Sequence, residues 1–190
     1  MPADPDLAAW AEGLGRPDGP FPLLGSGSRA DAYPALLWNG TRLRRVGVAP
    51  VVALLLLAHV TADGGDDLPD AADGRLDAAV AAGLWVLERL PVAPPGAPAD
   101  AGLEVLAAAA TASVVAGSDL VAVLDLAGTL AVVSPPAVAA DADVRAGHAL
   151  AVGWLAVRLL ADGLVAPPDA ARTTASSVTG AHLTWPGTWS

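Results

Sequence analysis

A chain of 190 residues with 54% hydrophobic residues and a net charge of −10 can bury a sizeable core, about 70% of its unfolded surface, as one domain. The absence of cysteine excludes disulfides, thiolate catalysis and zinc–thiolate sites. All ten cations are arginine, and the one basic cluster, Arg42, Arg44 and Arg45, is too small to neutralise a phosphate backbone, so no nucleic-acid partner is expected.

In chain order, Asp4 and Pro5 open a short helix with Leu7, Trp10 and Leu14 on one stripe. A Gly- and Pro-rich loop runs from Gly15 to Ser28. Tyr33–Val46 can be read two ways. Asn39-Gly40 between apolar residues favours a hairpin that pairs Trp38 with Thr41 and Leu36 with Leu43. The rival is a helix from Ala30 to Trp38 closed by Gly40. Ala49–Ala62 has no polar face across Leu54–Leu57 and reads as a buried helix. Helices follow from Asp73 to Leu90, with Leu76, Val80, Leu84 and Leu87 on one face, and from Asp100 to Gly117. Three prolines within Val92–Ala99 mark a connection between them.

Leu120–Val133 also has two readings. Asp125 ahead of Leu126-Ala127-Gly128, with valine-rich arms, favours a second hairpin. As a helix it would be apolar all round, with Asp125 buried. Asp141–Leu164 is the clearest helix: Val144, His148, Ala151, Leu155 and Leu159 share a face or its edge, and Gly163 and Pro167-Pro168 end it. The expected fold is therefore mainly α, a compact single-domain helical bundle with one or two small β-hairpins. Residues 1–168 form the globular domain, and residues 169–190 form a C-terminal tail carrying Trp185 and Trp189.

Asp63–Asp77 holds six of the twenty carboxylates and a single cation, Arg75. Asp66-Asp67-Leu68-Pro69-Asp70 matches a DDxxD pattern and resembles the first aspartate-rich motif of chain-elongating isoprenyl diphosphate synthases. The resemblance implies Mg²⁺ bound by hard oxygen ligands at Asp66, Asp67 and Asp70, with Asp63 nearby, and a diphosphate substrate. It covers about five residues. The second aspartate-rich motif, the downstream arginine pair and any lysine are missing, so no cofactor is expected and Mg²⁺ is the distant alternative. Asp70-Ala-Ala-Asp73-Gly74 resembles the start of the CDP-alcohol phosphotransferase signature, but Asp77-Ala78 stands where that signature needs Ala-Arg. A calcium loop with Gly74 at its glycine would place Pro69 and Val80 at ligand positions, so that reading fails. A solvated connection near a helix N-terminus accounts for the run without a ligand.

Ionisable groups inside apolar segments are the remaining candidates for chemistry. His59 and Asp63 are four apart and share a helix face, as a base with its orienting carboxylate would. His148 and Asp125 complete the candidate acid–base set. Arg145, Arg158 and Trp154 are the candidate substrate-binding residues. Each has a structural counterpart: a satisfied core histidine, a turn carboxylate, an arginine snorkelling from the core edge.

The apolar runs Val46–Val60, Leu120–Val133 and Ala146–Leu160 are too short or carry charge, so no membrane insertion is expected. Met1-Pro2-Ala3-Asp4 lacks the basic and apolar regions of a secretory signal, which makes a cytoplasmic location the expectation. The lack of Ile, Lys and Gln is the mark of a high-GC, actinobacterial genome. Together these features lead to an expected small enzyme of isomerase, cyclase or dehydratase type, acting by acid–base chemistry on a small apolar metabolite. The alternative is a non-catalytic binding or assembly protein, a homodimer joined through the tail tryptophans.

Overall fold

The computed structural model describes residues 32–45, 47, 49–63, 73–90, 102–131 and 142–180. The expected N-terminal helix, the 92–99 connection, Asp66, Asp67 and Asp70, and Trp185 and Trp189 lie outside the described residues. Those described form seven helices: α1 (Ala32–Arg45), α2 (Pro50–Asp63), α3 (Asp73–Arg89), α4 (Glu104–Ala116), α5 (Leu120–Leu130), α6 (Ala142–Ala161) and α7 (Ala170–Thr179). The chain is mainly α, and no strand occurs among the described residues.

The centre of the packing is α4. It touches α2, α3, α5 and α6, and every residue from Val105 to Ser113 is buried. A helix apolar on all sides has to be surrounded, because any exposed face would leave hydrocarbon in water. Full burial of Leu36, Leu57 and Leu106 contributes about 1.5–3 kcal/mol each. The buried hydroxyls of α4 are satisfied locally: Thr111 Oγ1 donates to the Ala107 carbonyl (3.2 Å) and Ser113 Oγ to the Ser118 carbonyl (3.0 Å). Gly117 ends α4 in the left-handed region at φ 64°, and its N–H donates to the Ser113 and Val114 carbonyls.

The most extensive helix pair is α1 with α6. It depends on Gly40 and Gly147, which face each other so closely that a Cβ on Gly40 would lie 2.7 Å from Gly147 Cα. On its other side α6 meets α4 at Gly153, where a Cβ would lie 2.7 Å from the Ala108 carbonyl carbon. Both contacts need a residue without a side chain, since backbone cannot move aside as a flexible side chain can.

Two expectations are corrected. Tyr33–Val46 is not a hairpin: Asn39 and Gly40 lie inside α1. Helical spacing puts Leu36, Gly40 and Leu43 on the buried side, whereas Trp38 turns outward and is 52% exposed. Asn39 is buried instead of sitting at a turn, and its Nδ2 donates to the Ala35 carbonyl (2.9 Å). Leu120–Val133 is likewise no hairpin, because α5 runs straight through Leu126-Ala127-Gly128. Asp119 starts it by accepting from the Val121 and Ala122 N–H groups (2.9 and 3.1 Å), a side-chain cap worth about 1 kcal/mol. Burial of Val123–Gly128 outweighs the β-preference of its valines. Gly128 serves close packing, because a Cβ there would meet the Ala171 backbone nitrogen at 2.8 Å.

The stretch expected as a tail from residue 169 contains α7, whose Ala171 and Ala175 belong to the core. The α6 segment Asp143–Ala161 is long and apolar enough to cross a membrane by length and composition alone. Half of its residues are buried against the other helices, and Arg145, His148 and Arg158 lie along it.

Candidate functional site

A cavity of about 280 Å³ opens where α1, α2, α4 and α6 come together, with Leu87 of α3 at one side. Its floor is apolar and buried: Leu43, Leu54, Ala107, Ala149 and Leu150. Its mouth lies toward Arg44 and Pro50, which are exposed. Among the described residues that line it, three are charged: Arg44 near the end of α1, Arg145 near the start of α6, and Glu104 at the first position of α4. Arg145 and Glu104 are half-buried. The cavity exists because the Gly40–Gly147 contact draws α1 onto α6, while α2 and α4 begin at the same end of that pair.

Of the candidate site residues that the structure describes, Arg145 alone lines this cavity. Arg44 and Glu104 were not singled out as binding residues. Gly40 and Arg44 are one helical turn apart, so a helical reading of Tyr33–Val46 would have placed Arg44 beside the packing face. Glu104 carried no signal beyond its place at a helix start.

His148 sits at the α1–α6 contact, where its Nδ1 lies 3.4 Å from the Tyr33 hydroxyl. Its Nε2 is buried and has no hydrogen-bond partner among the described residues. Burial lowers its pKa from the ordinary 6.5, because desolvation disfavours the imidazolium. The Asn39 Oδ1 is a second buried polar atom without a partner among the described residues.

Asp125 has a different task. Its Oδ2 accepts from the Asp169 N–H and its Oδ1 from the Ala171 N–H, both at 3.0 Å. The carboxylate thus holds the first turn of α7 from a neighbouring helix, an N-cap supplied across the fold. At 9% exposure it is buried, as the helical reading of its segment requires, and both oxygens are occupied by backbone donors. Asp169, whose own side chain makes no cap, stands in the left-handed region at φ 61°, and its carboxylate pairs with Arg172 at 3.0 Å.

The other candidates are dispersed. His59 is half-buried in the last turns of α2, and Asp63 is the final residue of that helix. Trp154 is buried in the core. Arg158 is half-buried in the last turn of α6, where a cation favours the negative end of the helix dipole. Among the described residues no group of three or more His, Asp or Glu side chains comes together to hold a metal. Comparison with known protein families, with curated proteins and with solved structures found no match.

Proposed function

We propose that this protein binds a small, largely apolar metabolite in the cavity between α1, α2, α4 and α6. The observation that carries the reading is the cavity itself: an apolar floor with three charged groups in its wall, the usual make-up of a small-molecule site. Its 280 Å³ lies just below the range of drug-sized pockets. A cavity of about 150 Å³ holds benzene, so this one suits a ligand on the order of ten non-hydrogen atoms. Saturation-transfer NMR with toluene and hexanol as probes tests the reading. Both should bind the full-length protein. Ala149→Leu, which adds three carbons at the floor, should remove binding while the circular dichroism spectrum and melting curve stay cooperative. Unchanged binding in that variant would move the site elsewhere.

An acid–base enzyme is the second reading, and Glu104 is the observation that favours it. A carboxylate in a mostly apolar wall can take a proton from a bound carbon acid and return it at another carbon, which is the chemistry of an isomerase. Deuterium uptake from D₂O into small ketones, present in the wild type and lost in Glu104→Gln, is the expected result. Equal uptake in both proteins removes Glu104 from the chemistry.

A further inference from the structure

α7 is held differently from the helices around α4. It has 10 residues, short of the roughly 12–15 at which an isolated helix persists in water, so its helical state depends on docking. Among the described helices it packs on α5. The hydrocarbon it buries is small: Ala171 and Ala175 in the core, with Val178 partly buried beside them. α4, by contrast, buries every residue from Val105 to Ser113. Apolar stabilisation scales with the area removed from water, so the hold on α7 is largely polar. Asp125 accepts from the Asp169 and Ala171 N–H groups, and Thr174 Oγ1 donates to the Gly128 carbonyl (3.0 Å). Water can take the place of each of these partners once the helix leaves. The connection from Ala161 to Asp169 is exposed, apart from the half-buried Ala166, so little has to be unpacked there. Asp169 stands in the left-handed region at φ 61°, a conformation uncommon for a residue with a side chain, and it relaxes when the helix start is released.

We infer that α7 is a releasable latch. It leaves α5 as a unit, turning on the 162–169 connection, while the helices around α4 stay folded. Asp125 is the clasp, because it holds two backbone N–H groups of the latch from a helix that remains in place. Release uncovers the Asp125 carboxylate and the Gly128 carbonyl, the acceptors that α7 occupies when docked. None of these residues lines the cavity, so the latch stands apart from the ligand reading.

Native-state hydrogen exchange on the full-length protein, followed by NMR at neutral pH, tests this. After correction for intrinsic rates, the Ala171, Thr173 and Ala175 amides should share one opening constant. It should exceed that of the Ala109 and Ala110 amides in α4 by about a hundredfold or more. Asp125→Asn should raise the opening of α7 about tenfold further. Equal protection of α7 and α4 in the wild type overturns the latch, because the two then open only together. A gradient of exchange that is fastest at Gly180 and dies away toward Ala171 also overturns it, since that is fraying from one end rather than release of a unit. Unchanged α7 opening in Asp125→Asn, with the variant folded by circular dichroism, overturns Asp125 as the clasp. The first two outcomes are read on the wild type, so a misfolded variant cannot rescue the inference.

Discussion

The α5–α7 contact and the α1–α2–α4–α6 cavity each place carboxylate among apolar side chains, with opposite results. At the first, Asp125 meets two backbone N–H groups at 3.0 Å and both of its oxygens are occupied. At the second, Glu104 stands in the wall of an open space that Arg44 and Arg145 also line. Isolation in an apolar stretch made Asp125 the conspicuous acid in the sequence. That isolation reports burial, and a buried carboxylate persists when donors hold it in place. Space next to the group, which local sequence does not display, separates a structural carboxylate from one that can meet a ligand.

Removing Asp125 should be the most damaging way to probe this contrast. Asp125→Ala leaves the Asp169 and Ala171 N–H groups without their acceptor, and should lower stability by about 2–4 kcal/mol in urea unfolding. Asp125→Asn keeps one acceptor oxygen and should cost about half as much. Neither should alter the binding of toluene or hexanol, and a large change in that binding would join the two regions functionally.

Gly147→Ala tests the scaffold of the cavity. A Cβ there would be 2.8 Å from the Thr41 backbone nitrogen and would also collide with the Leu37 carbonyl oxygen. The expected loss is about 1–3 kcal/mol, with weaker binding of every probe because α1 must move off α6. Unaltered affinity would show that the cavity walls tolerate that displacement.

Arg145→Gln should act in the opposite sense. Loss of stability within about 1 kcal/mol, together with altered binding of hexanol, marks a binding residue. The same substitution lowering stability by several kcal/mol with binding retained would make Arg145 a structural group like Asp125.

The smallest effect concerns His148. Its folded-state pKa lies below the ordinary value, so between the two values the unfolded chain binds more protons. The stability it confers is complete above about pH 6.5 and is lost as pH falls through the folded-state value. Thermal melts between pH 7.5 and 5.5 should therefore show a falling melting temperature, with a shallower fall in His148→Gln. Parallel curves for the two proteins would assign that dependence to other groups.

Much of the helical layout was legible. α2, α3, α4 and α6 announce themselves through apolar runs bounded by Pro50, Asp73, Gly117 and Gly163. α1 and α5 were misread because Asn39-Gly40 and Ala127-Gly128 are strong local turn signals. In both places the glycine answers a distant backbone, Gly147 in one case and Ala171 in the other. Of the cavity's charged wall, only Arg145 was legible. Arg44 fell in a segment taken for a strand, and Glu104 has no distinguishing neighbours.

The sequence by itself determined that the chain is mainly helical, rich in small residues and able to bury most of α4 and the Leu54–Ala58 run of α2. Those properties follow from local composition and from where glycine, proline and aspartate interrupt it. Tertiary structure decided what each polar group does. Asp125 finds its partner 46 residues away, and Arg44, Glu104 and Arg145 come from three separate helices. Helical periodicity shows which side of a helix is apolar. The depth and register at which two helices meet depend on close contacts such as Gly40 on Gly147, and those contacts decide where a cavity remains and which charges face it.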